Sequence, residues 1–129
     1  MIGYGKNKYS NLADYLDSLQ GTEKKLMMFF IDYMRLNHSE LEEIFSFQMP
    51  TYKEGEGKIK NYIAFSAKPK HFSMHSLDFE YVSALKGKLS NPGKGKGCVN
   101  ISYDNAFDKD ILITAIEEII ERRNSRLNI

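Results

Sequence analysis

Apolar side chains along this chain recur at helical spacing, then at strand spacing, then at helical spacing again. Leu12, Tyr15, Leu16 and Leu19 fall three or four apart after Ser10, whose hydroxyl can cap a first-turn amide. Gly21 breaks that run, and Thr22 starts a second helix reaching about Leu36. Its stripe is Leu26, Phe29, Phe30, Tyr33 and Met34, broadened by Met27 and Ile31. Asn37 and His38 end it, and Ser39 is placed to cap one more turn, Glu40 to Glu43.

The period then changes to two. Ile44 to Gln48 reads as a strand that Pro50 stops, because proline cannot donate to a ladder. Gly55 and Gly57 mark a hairpin turn. Ile59 to Ser66 is the second strand, with Tyr62, Ala64 and Ser66 on one face and Ile63 and Phe65 on the other. Pro69 sits in the next turn, and His71 to His75 is a short third strand with Phe72 and Met74 sharing a face. Leu77 to Leu85 reads as a helix closed by Gly87. Residues 86–97, KGKLSNPGKGKG, form a loop by composition. Cys98 to Tyr103 is the fourth strand, with Val99 and Ile101 alternating against Cys98 and Asn100. Asp108 is placed to cap a last helix, Lys109 to about Arg126.

The predicted order is α-α-β-β-β-α-β-α. Three successive strands with short turns call for an antiparallel meander, so the fold class is α+β: a small, mostly antiparallel sheet flanked by helices. The length of 129 residues fits one domain, 1–129, with residues 1–8 as a flexible start.

Charge changes the picture only locally. The 18 basic and 17 acidic side chains nearly cancel, which disfavours a globally basic nucleic-acid binder. Residues 53–96, however, carry 9 basic and 4 acidic side chains, a balance of +5 between two flanks at −2 each. One cysteine excludes an internal disulfide and a Cys-rich zinc site. The lone thiol and the lack of an apolar segment after Lys6 and Lys8 predict a cytoplasmic location. No apolar run is long enough to span a bilayer, so no membrane partner is expected.

The succession YSNLADYLDSL, IFSFQMPTYK, YIAFSAK, KHFSMH and GKGCVNISYDNAFDKDILITAIEEIIERR resembles the YdhG-like family, from about Tyr9 to Arg123. Met49-Pro50 after an aromatic strand, the pair Tyr52-Lys53, and Lys96-Gly97 opening the strand before the last helix carry the likeness. The family often has glycine where this chain has Gln48, and an aromatic-Pro pair where it has His75-Ser76. The resemblance implies the α+β sheet with flanking helices. Because the family includes a frataxin-like bacterial iron chaperone, it also implies iron as a possible cargo and an iron-handling protein as a partner. Many members have no known function, and fold alone does not carry one.

Four groups of residues are candidates for chemistry. Lys94, Gly95, Lys96 and Gly97 could form an amide nest with added charge for a phosphate or carboxylate, joined by Met49, Tyr52, Lys53 and His75 at a shared rim. That reading requires the Met49–Lys53 segment and the lysine loop to meet at one edge of the molecule. Its competitor is a solvated turn, since the loop lacks the GxxxxGK[ST] order. Asp14 with Asp17, Glu40 with Glu43, and Glu117 with Glu121 share helix faces and could hold a hard cation, against the ordinary reading of solvated acids. Glu118 with Arg122 reads as an i,i+4 pair. Cys98 or His75 could be the reactive group of an enzyme acting on a small acid or phosphate. The aromatics default to the core, and no RNP pattern marks the sheet for RNA. Two functions follow as expectations: a binding or carrier domain for a small anion or for iron, and alternatively such an enzyme. A protein-interaction module is a third, and the sequence leaves the oligomeric state open.

Overall fold

The structure, a computed structural model, describes residues 8–54 and 61–127, with side chains up to residue 124. Two helices, α1 (Leu12–Asp17) and α2 (Gly21–Asn37), precede four strands: β1 (Glu42–Ser46), β2 (Met49–Glu54), β3 (Asn61–Ala67) and β4 (Phe72–Ser76). Helix α3 (Phe79–Leu85), a 3-10 turn (Lys86–Lys88), β5 (Cys98–Ile101) and α4 (Ala106–Leu127) follow. The five strands form one antiparallel sheet in the order β1-β2-β3-β4-β5. The α+β architecture is the expected one.

Alternation divides the sheet into two faces. Tyr52, Ile63, Phe65, Phe72, Met74, Val99 and Ile101 share one face through the register and are all buried. Met27, Phe30, Ile31 and Met34 of α2 and Leu112, Ala115, Ile116 and Ile119 of α4 join them in a single core. Phe30 stacks on both Phe65 and Phe72, with ring centroids 5.2 Å apart in each case. Truncating so central a ring costs about 3–5 kcal/mol.

Several boundaries differ from the expectation for identifiable reasons. The strand expected to stop at Pro50 is a tight hairpin, and Pro50 is the second residue of its returning strand, opposite Phe45. A two-residue turn makes Ser46 and Met49 the hydrogen-bonded closing pair, so the next pair turns its amides outward. The β3 ladder reaches only to Thr51, so a missing amide at Pro50 leaves no partner unmet. No extra helical turn follows Ser39, because β1 begins at Glu42. The buried arc of α2 centres on Met27, Phe30, Ile31 and Met34, with Leu26, Phe29 and Tyr33 at its margins.

Asp78, not Leu77, begins α3 by accepting from the Tyr81 amide. Asn105, not Asp108, caps α4: its side chain accepts from the Phe107 and Asp108 amides. The buried Asp108 instead accepts from the Ser102 amide. His71 and Tyr103 fall outside the strands, where the Tyr103 hydroxyl donates to the Lys68 carbonyl at 2.6 Å. The turn at Gly55 and Gly57 and most of the expected flexible start, residues 1–7, lie outside the described residues. Among the described residues, no helix is long and apolar enough to cross a membrane.

Candidate functional site

The second face of the sheet carries the polar members of each strand. Register places Ile44, Thr51, Ala64, His75 and Cys98 in one row across all five strands. Ser66, Ser73 and Asn100 form the row on one side, and Glu42, Lys53 and Tyr62 the row on the other. Small residues dominate the centre, where Ala64, Ser73 and Thr51 are buried. Ser73 donates to Asn100 at 2.7 Å.

At the β1–β2–β3 side this face opens into a cavity of about 220 Å³. It runs along β2. Ser46, Phe47 and Met49 line the turn end, Ile44 and Thr51 the middle, and Lys53, Asn61 and Tyr62 the far end. The two ends differ chemically. Lys53 is half-buried, and no ion pair joins it to any carboxylate among the described residues, its cross-strand partner Glu42 included. The Tyr62 hydroxyl is likewise unpaired among the described residues. The buried Asn61 alternates to the opposite face with Ile63, and its side-chain oxygen accepts from the Tyr62 amide and the Ser76 hydroxyl.

The turn end is unusual in its backbone. Phe47 and Gln48 both lie in the left-handed region, at φ +52° and +63°. A two-residue hairpin loop needs that geometry, which ordinarily calls for Asn-Gly or Gly-Gly. Gln48 is held there by Tyr9: its carboxamide oxygen accepts from the Tyr9 amide at 2.7 Å, and its NH₂ donates to the Tyr9 carbonyl at 3.0 Å. Phe47 is left 86% exposed at the groove rim.

Of the anticipated ligand residues, only Met49 and Lys53 line this groove. Tyr52 points into the core and donates to Glu43 at 2.7 Å. Burial and that carboxylate push its phenol pKa well above the ordinary value. His75 lies two strands away, its Nε2 3.4 Å from the Ser66 hydroxyl. Burial, and then the Lys68 charge, lower its pKa, so the ring is held neutral. β2 and β5 are separated by β3 and β4, about 14 Å at about 4.8 Å per spacing. The Met49–Lys53 segment and the Lys94–Gly97 loop therefore do not meet at one edge, contrary to the requirement set out for a shared pocket.

The lysine loop has a different role. The Gly93 and Gly95 carbonyls accept from the Lys86 ammonium, while Lys94 and Lys96 point to solvent. Gly95 lies directly over Cys98, since a Cβ there would sit 2.4 Å from Sγ. Gly97 continues the sheet, its carbonyl accepting from the Ser76 amide at 2.9 Å. Cys98 and His75 are cross-strand neighbours, yet no hydrogen bond joins them.

The acidic pairs lie apart from this groove. Asp14, Asp17 and Glu121 are exposed. Glu117 accepts from the Tyr33 hydroxyl and from His38 Nε2, at 2.7 Å in the latter case, tying the end of α2 to α4. Glu43, in β1, pairs with Arg35 at 2.8 Å, while Glu40 lies 3.6 Å from His38 Nδ1, so the two do not share a helix face. Arg122 reaches Asp78 and Glu80 instead of Glu118, which accepts from Tyr81. No group of three or more metal-ligating side chains occurs among the described residues.

The comparison with solved structures returns a crystal structure of a DUF1801-family protein, YdhG of Bacillus subtilis. It superposes with a TM-score of 0.68 at 14% identity, covering 87% of this chain and 90% of that one. This chain has the YdhG fold. No protein-family model and no curated protein matches it. At that identity the likeness is one of fold, so the groove must be read from this chain's own residues. Those that the sequence reading missed, Ile44, Phe47, Thr51, Asn61 and Tyr62, become a set only once the hairpin at Phe47-Gln48 folds β1 back onto β2.

Proposed function

We propose that this protein is a small ligand-binding domain that holds an organic anion in the groove along β2. The observation that carries the reading is the pairing of Lys53 and the Tyr62 hydroxyl, cross-strand neighbours with no side-chain partner among the described residues, at one end of a groove otherwise lined mainly by apolar groups. A lysine in the wall of a concave site, with no carboxylate partner among the described residues, offers an anion a counter-charge, and the hydrogen bonds such a pair makes are roughly twice as strong as neutral ones. The Tyr62 hydroxyl beside it adds a second donor. Convergent polar groups in an apolar concavity are the usual form of a small-molecule site. An iron-handling role has less behind it, because the acids implied by the resemblance are spread over α1 and α4 and Glu117 is already bonded. The enzyme reading has less still, with Cys98 and His75 unbonded to one another.

Calorimetric titration with a panel of small carboxylates and phosphates tests this. Wild-type protein should bind at least one class saturably. Lys53→Met should weaken that binding at least about tenfold, since a hydrogen bond to a charged group contributes about 1.5–3 kcal/mol. Lys94→Ala with Lys96→Ala should leave it within about threefold, as expected for surface substitutions. Equal affinity in wild type and Lys53→Met would overturn the proposal, as would the absence of any binding.

A further inference from the structure

We infer that the ligand is a free single-chain monocarboxylic acid, its carboxylate at Lys53 and its hydrocarbon tail laid along β2 toward Phe47. The inference rests on the binding reading above and adds head-group charge, shape and length.

The head group follows from the charge count. Lys53 supplies one positive charge, and the Tyr62 hydroxyl a neutral donor beside it. Glu42 lies opposite Lys53 on the same face. One cation next to an acidic neighbour suits a monoanion; a phosphate dianion calls for a second cation or an arginine fork, and among the described residues none lines the groove. The two oxygens of a carboxylate can accept from both donors.

Shape follows from how the lining is distributed. The lining follows the course of β2, with Ile44 and Met49 beside it and Phe47 at the end remote from Lys53. Met49 and Lys53 are four residues apart, about 13 Å at about 3.3 Å per residue. Spanning that takes about nine bonds at about 1.5 Å each, slightly more once the zigzag is allowed for. The cavity of about 220 Å³ agrees, holding the equivalent of about seven waters at about 30 Å³ each. A medium-length acid fills it; a two-carbon acid leaves the apolar end empty, and a two-tailed lipid does not fit.

Phe47 explains the far end. A large ring that is 86% exposed, at the tip of a turn whose backbone is left-handed at both residues, is costly unless the ring has a role. Its place on the groove lining lets it cover the tail of the bound acid.

The test is a chain-length series, butanoate, hexanoate, octanoate, decanoate and dodecanoate, titrated below self-association into the wild-type protein, Phe47→Ser and Lys53→Met. Wild-type affinity should rise about two- to fourfold per added methylene up to decanoate and then level. Phe47→Ser should abolish the gain from octanoate to decanoate, the exposed site leaving the fold intact. Ile44→Ser, in mid-groove, should compress the gain earlier in the series. Lys53-dependent binding of equal strength at every chain length would overturn the inference and leave the binding function standing. Absence of Lys53-dependent binding for every acid would overturn both. Capture of the protein by phosphatidylglycerol vesicles without binding of monomeric acids would replace the free acid by a membrane and overturn it too.

Discussion

Gln48 and Tyr9 exchange two hydrogen bonds, at 2.7 and 3.0 Å, and so pin a left-handed residue to the start of the chain. A left-handed side-chain-bearing residue costs about 1–2 kcal/mol, and the paired bonds return about 0.5–1.5 kcal/mol each. Gln48→Ala keeps the strain and loses both bonds, so it should destabilise by about 1–2 kcal/mol. Gln48→Gly loses the bonds but also the strain, and should be more stable than Gln48→Ala by about 1 kcal/mol. Urea midpoints at unchanged slope read the difference. An alanine variant as stable as the glycine one would contradict the account.

Arg35, Glu43 and Tyr52 form a chain at the core's edge. Arg35 holds the Glu43 carboxyl below its ordinary 4.5, helped by the Tyr52 hydroxyl and opposed by partial burial. A carboxylate whose folded pKa is depressed stabilises the fold fully above its unfolded value. That contribution is lost as pH falls below about 4.5 and through the depressed folded value. Glu43→Gln should therefore cost stability at neutral pH and flatten the acid limb of a stability–pH curve. A variant with an unchanged acid limb would show that other carboxylates govern acid unfolding.

The alkaline side has its own marker. Burial and the Glu117 carboxylate push the Tyr33 phenol up to about 12 from its ordinary 10. A raised folded value means stability present below pH 10 and lost as pH rises toward 12. Ultraviolet difference titration should show one fewer high-pH phenol in Tyr33→Phe than in wild type. Loss of a phenol titrating near its ordinary value instead would contradict the tie to Glu117.

Gly95 and Cys98 make a separable contact. Gly95→Ala brings a Cβ within 2.4 Å of the thiol, so either the loop or the side chain must shift. Cys98→Ala removes the obstructing sulfur. The glycine substitution should destabilise the wild type by about 1–3 kcal/mol, the usual range for overpacking. It should be nearly neutral in the Cys98→Ala background. Additive effects in the double-mutant cycle would mean that the loop does not lie on Cys98.

Much of this fold is written locally. The alternation of Tyr62, Ala64 and Ser66 against Ile63 and Phe65 is a two-sided strand pattern, and the register confirms it. Phe47-Gln48 offers no such signal. Neither residue favours positive φ, and the compensating partner, Tyr9, is 39 positions away. Without that turn a strand stops at Pro50 and no strand is expected over β2, which carries Thr51 and Lys53 on the open face. A glycine is the residue this backbone would otherwise select. The lysine loop misled for a related reason. Its glycines serve close packing over Cys98 and Asn100 and its carbonyls face Lys86, contacts that composition does not encode.

Backbone amide chemical shifts recorded during an octanoate titration test the central claim most directly. The groove account predicts saturable shifts concentrated at Ile44, Met49, Thr51, Lys53 and Tyr62, abolished by Lys53→Met. Shifts concentrated instead in the Lys94–Gly97 loop, or none at all, would contradict it.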